Sequence, residues 1–243
     1  GAASRASAGD IKVVAGETDT ALGGSLVLTA GGSTAPVEGE GGSVLISSGF
    51  GREGAVGGDI AIASSSSDLD SGAIGIHTGS STSGDSGVIA LESGWSPARS
   101  GDITVRVGDS LSGKSGDLTL VGGTGAHGSD VLISSGSENT GDGVSGRVQL
   151  VSADATGSSG VVNLASGTAT DGSSGAFSVS TGSAGRAAGR LALTVGKSGS
   201  SEGGSVTVQS GVSDVAKGGD VQIVSGFGEE GSGHVQLRSG NSE

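Results

Sequence analysis

"GGDVQIVSGFGEEGSGHVQLRSG" (residues 218–240) holds two short apolar alternations, Val221/Ile223 and Val235/Leu237, set in glycine and serine. Far upstream the chain says nearly the same thing in "GGSVLISSGFGREGAVGGDIAIAS" (41–64). Both stretches follow one frame, [G/S]-G-x-Φ-x-Φ-x-[S/T/x]-G, where Φ is Val, Ile, Leu or, once, Phe. Working outward from them, the frame recurs sixteen times, from Ile11/Val13 through Ile103/Val105 and Phe177/Val179 to Val235/Leu237. The mean spacing is about 15 residues, the signature of a repeat architecture.

Alternating β-branched residues bounded by Gly and Ser are a strand signal. A helix would need apolar residues at i, i+3 and i+4, and glycine at this density disfavours it. Within a strand the two Φ side chains share one face, and residues such as Lys12, Ala61, Thr104, Gln149 and Gln222 take the other. The connections are six to nine residues of Gly, Ser, Asp and Ala and carry no helical pattern. Strands joined by polar turns without helices predict an all-β architecture.

A longer period lies above the first. "DITVRVG" (102–108) matches "RLALTVG" (190–196), and "SVLISSG" (43–49) matches "DVLISSG" (130–136) and "DVQIVSG" (220–226). Matched frames stand six apart. A single strand cannot bury a two-residue apolar face, whereas stacked identical units can. The pattern therefore predicts a parallel β-solenoid running as one continuous array over 8–240. Two strands per coil are favoured, because the Φ pairs of facing strands then meet across the ~10 Å gap between packed sheets. Eight such coils would stack to roughly 38 Å. Neither terminal frame has the polar character of a cap, which suggests an excerpt of a longer repeat protein or subunits that stack into a filament.

Composition bounds the partners. The net charge is -13, and the 12 Lys and Arg are scattered, which argues against nucleic acid. No apolar run approaches the ~20 residues of a membrane span. There is no cysteine and hence no disulfide.

Candidate chemistry is sparse. The carboxylates that open frames at Asp10, Asp59, Asp102, Asp117, Asp130 and Asp220, all after Gly except Asp130 after Ser129, would suit stacked calcium ligation, but the spacing of calcium β-rolls is missing. A turn-edge Asp bonding its own backbone is the simpler reading. Thr29, Thr104, Thr119, Thr194 and Thr207 would fall on the outward face, as an ice-binding lattice requires, yet Glu92, Arg106, Arg238, Gln149 and Lys12 interrupt it. A glycan-processing groove would need clustered carboxylates and stacking aromatics. His77, His127 and His234 instead lie in unrelated contexts, and Trp95 is alone. Phe50 and Phe227 occupy matching loops, where they would plug the end of a sandwich or touch a neighbouring solenoid. No catalytic residue, cofactor site or metal site is assigned.

The SGxΦxΦxSG frames with Gly/Ser linkers resemble the low-complexity repeat regions of large secreted surface proteins of diatoms and related algae. The resemblance covers nearly the whole chain through short motifs and composition, and it transfers no functional residue. It implies an extracellular or cell-surface location and a structural or adhesive role. The sequence reading is a non-enzymatic protein contributing to a fibre, surface layer or adhesive, whose partners are neighbouring repeats of the same protein. The alternative is a solenoid that binds ice, mineral or calcium, or polysaccharide.

Overall fold

A computed structural model describes residues 8–20, 22–35, 39–139 and 143–241. Among these residues there is no helix, no strand and no sheet. The expected parallel β-solenoid with two strands per coil is therefore overturned, and with it the β-helix description. None of the described frames is paired into a ladder. Not one described residue is buried. The chain exposes 24502 Å², where a globular protein of its mass would expose roughly 9,500 Å² and the unfolded chain roughly 33,000 Å².

The physical reason lies in the proportions of the frame. Two medium-sized apolar side chains in about fifteen residues, with almost no aromatic, offer little area to offset chain entropy, and glycine loses more of that entropy than any other residue. At six linkers the backbone groups flanking the frames also find nearer partners than a second strand. They bond across the linker.

Those bonds follow one rule. The amide of the residue two before the first Φ donates to the carbonyl three after the second Φ of the preceding frame. Gly24 donates to Gly16 at 3.2 Å, Gly42 to Gly31 at 2.8 Å, Gly58 to Gly49 at 2.9 Å and Gly146 to Gly136 at 2.9 Å. Gly219 donates to Gly211 at 3.0 Å and Gly233 to Gly226 at 2.9 Å. Each bond pinches the linker at its feet into a small Ω-like loop. Further linkers share the approach without the bond. A Cβ built on Gly72, Gly101, Gly160 or Gly175 would meet the Cβ of Ser64, Ser93, Ser152 or Ser166 at 3.6, 3.9, 3.7 and 3.9 Å.

Some necks are partly shielded from solvent. Ala15, Ala30, Thr78, Val107, Gly122, Ser135, Ser210 and Ser225, all at the pinch, are among the few half-buried residues. Shielding extends to the first Φ of most frames, two residues past the neck. Ile74 is 52% exposed against 70% for Ile76, and Ile89 49% against 72% for Leu91. Ile11, with no described loop before it, is 95% exposed.

Inside the linkers, serine and threonine hydroxyls accept bonds from amides two or three residues on, as in Ser67 from Leu69 (3.2 Å), Ser81 from Gly84 (3.0 Å) and Ser213 from Ala216 (3.0 Å). This is the local side-chain-to-backbone bonding that makes Ser a turn residue. The chain divides into two units, Gly1–Leu120 and Val121–Glu243. Each carries eight of the sixteen frames, and the neck rule operates within both.

Candidate functional site

The six frame-opening carboxylates follow Gly in five cases and Ser129 in the case of Asp130, and five of them, Asp59, Asp102, Asp117, Asp130 and Asp220, stand at the foot of a described neck. Three of them are held by a cation three residues upstream. Arg99 reaches Asp102 at 3.0 Å, Lys114 reaches Asp117 at 2.9 Å and Lys217 reaches Asp220 at 2.9 Å. Arg99 addresses both oxygens of its partner, at 3.2 and 3.0 Å. The spacing of three lets the basic side chain fold back across the last linker residues onto the carboxylate. A fourth pair of the same spacing, Arg106 with Asp109 at 3.1 Å, joins the end of a frame to its linker, and none of the four was anticipated from the sequence. Its signal was R-x-x-D, the same interval that the other three display.

All four pairs are more than two-thirds exposed on both sides. Exposed pairs of this kind contribute little and weaken in salt. Asp10, Asp59 and Asp130 have no Lys or Arg three residues before them. Among the described residues no group of three or more His, Asp or Glu side chains comes together to hold a metal ion. The six carboxylates named for calcium therefore stand apart, each in its own frame.

The outward threonines Thr29, Thr104, Thr119, Thr194 and Thr207 are exposed, but they sit in separate unpaired frames and share no sheet. His77, His127 and His234 are likewise in three different loops or frames. Trp95 is 88% exposed.

Phe50 and Phe227 plug nothing: they are 80% and 90% exposed. Phe50 carries the guanidinium of Arg52 above its ring, 5.3 Å from the centroid, a cation–π arrangement. The corresponding position in the second loop is Glu229, which has no such attraction for Phe227. No cavity is present among the described residues, and no helix there is long and apolar enough to cross a membrane.

No protein-family model, curated protein or solved structure matches this chain.

Proposed function

We propose that this chain is a non-enzymatic structural segment of an extracellular fibre, surface layer or adhesive. The observation that carries the reading is repetition: one frame is written sixteen times, with glycine two before its apolar pair in fifteen of them and three after it in fourteen. A catalytic or recognition centre requires a few side chains placed uniquely. A material requires the same unit many times.

The chemistry of the frames supports a hydrated, load-sharing role. Every frame leaves its apolar pair accessible for weak contact, and the net charge of -13 opposes indiscriminate association of copies. Glycine, serine and threonine keep the linkers wettable. The proposed partners are other copies of the same repeats, meeting through many small contacts, each of low energy.

Immunolabelling of intact source cells with an antibody raised against the frame 218–240 tests the reading. Signal at the outer surface or in secreted material is the expected result. Signal confined to the cell interior overturns it.

A further inference from the structure

We propose that each linker is a clasp, closed in solution, and that the clasp requires one glycine at its neck. The inference is independent of where the protein resides or what it adheres to. It rests on one exceptional linker read against the others.

In fifteen of the sixteen frames the residue two before the first Φ is glycine; the exception is Ser129. Two residues after the second Φ the chain has Ala, Ser, Thr or Val in every frame except one, where it has Gly122. These two exceptions face each other across the same neck. A Cβ built on Gly122 would lie 2.5 Å from the Ser129 hydroxyl and 3.3 Å from the Ser129 carbonyl oxygen. The usual arrangement, glycine on the downstream foot and a small side chain upstream, is simply reversed. The neck still holds one glycine and one side chain.

The hydrogen bond is conserved by the reversal as well. At six necks the downstream amide donates to the carbonyl three after the second Φ. At the reversed neck that carbonyl belongs to Gly123, and it accepts from the Ser129 hydroxyl at 3.2 Å. The same acceptor is used by the same downstream position, with a side-chain donor in place of the backbone one. A solvated coil would have no reason to exchange glycine and serine in concert, since neither residue would sense the other. The paired change is intelligible if the two feet touch.

The necks that carry valine are crowded as well. At the two necks with valine, a Cβ on Gly116 or Gly204 would stand 3.2 or 2.7 Å from a methyl of Val107 or Val195. A second side chain there would crowd the valine, which must turn away or yield the foot. The clasp thus acts as a conformational device that keeps each linker folded out of the line of the chain.

The chain has no cysteine, so Val121→Cys and Asp130→Cys would place two spin labels beside the reversed neck of the full chain. Dipolar broadening in frozen solution reads their separation. The otherwise unchanged chain should give a predominantly broadened spectrum. Adding G122S, which sets serine against serine, should at least halve the broadened fraction. The double change G122S/S129G, which restores the arrangement of the other necks, should return it. An unbroadened spectrum without further change overturns the proposal. So does broadening that G122S leaves intact, or a double variant no better than the single.

Discussion

The loops 49–58 and 226–233 begin with the same words, G-F-G-x-E-G, and end with the same neck bond, 2.9 Å from Gly58 to Gly49 and 2.9 Å from Gly233 to Gly226. Between those fixed ends they fold differently. The first has two more residues, and its inner turn runs from Arg52 to Ala55, closed by a 3.1 Å bond. Both central residues are left-handed, Glu53 at φ 54° and Gly54 at φ 89°, as in a type I′ turn. The second turns from Gly228 to Gly231, closed at 3.2 Å. Its central Glu229 and Glu230 keep negative φ, and the positive value moves to Gly231 at 155°. The neck, and not the loop's interior, is therefore what the repeat specifies. The interior adapts to whatever length is supplied.

The largest expected effect tests what the loops share. A Cβ on Gly51 would run into the carbonyl oxygen of Ala55, and one on Gly228 would lie 2.6 Å from that of Gly231. Both obstacles are backbone, so neither can rotate away. Gly51→Ala and Gly228→Ala should each open their loop and lose its neck bond, about 1 kcal/mol for one net hydrogen bond. Amide exchange at Gly58 and Gly233, followed by NMR, should accelerate about fivefold. Unchanged exchange in either loop would show that the glycine there is incidental.

The next effect separates the loops by sign. Glu53 sits in the left-handed region, which costs an L-residue roughly 1 kcal/mol or more. Glu53→Gly should relieve that strain and slow exchange at Ala55, whose amide closes the turn. Glu230 has ordinary backbone angles, so Glu230→Gly only loosens the open state and should destabilise its turn by about 0.5–1 kcal/mol. Exchange at Gly231 should rise. Equal responses to the two substitutions would erase the distinction between the turns.

The smaller third effect concerns Phe50 and Phe227. Arg52→Glu makes the first loop resemble the second and should remove about 0.5 kcal/mol of exposed cation–π attraction. The ring-current shift of the Arg52 side-chain protons over Phe50 reports the contact directly. Its absence in the parent chain would break the assignment.

These contrasts also mark how far the residues could be read without coordinates. Gly and Ser identified where the chain turns, in the linkers between the Φ-x-Φ frames. The lack of a ladder was not legible, because a strand needs a partner and alternation says only which face that partner would cover. Two Φ residues in about fifteen were too few to draw the frames together against the entropy of glycine. The clasp was written in the sequence all along, in the glycines and serines that flank every frame. Ser129 and Gly122 become a pair only once the geometry joins positions two before and two after the apolar residues. The carboxylates at Asp102, Asp117 and Asp220 are similar: G-D suggested ligands, while the basic residue three places upstream decides what they meet.

The smallest effect sharpens that last point at two otherwise equivalent steps. Asp59 and Asp220 both follow Gly-Gly and both begin a frame immediately after a bonded neck. Asp220 is met by Lys217 at 2.9 Å, but the residue three before Asp59 is Val56. Lys217 and Asp220 are 81% and 74% exposed, so water screens their attraction. Lys217→Ala should therefore change exchange at Gly219 by the equivalent of only a few tenths of a kcal/mol, and Val56→Lys should slow exchange at Gly58 by as little. Both changes should vanish in 1 M salt, where the screening length falls to about 3 Å. If exchange at Gly219 instead rose severalfold in Lys217→Ala and stayed high in salt, the lysine would be part of the clasp itself, holding the neck through contacts of its aliphatic stem.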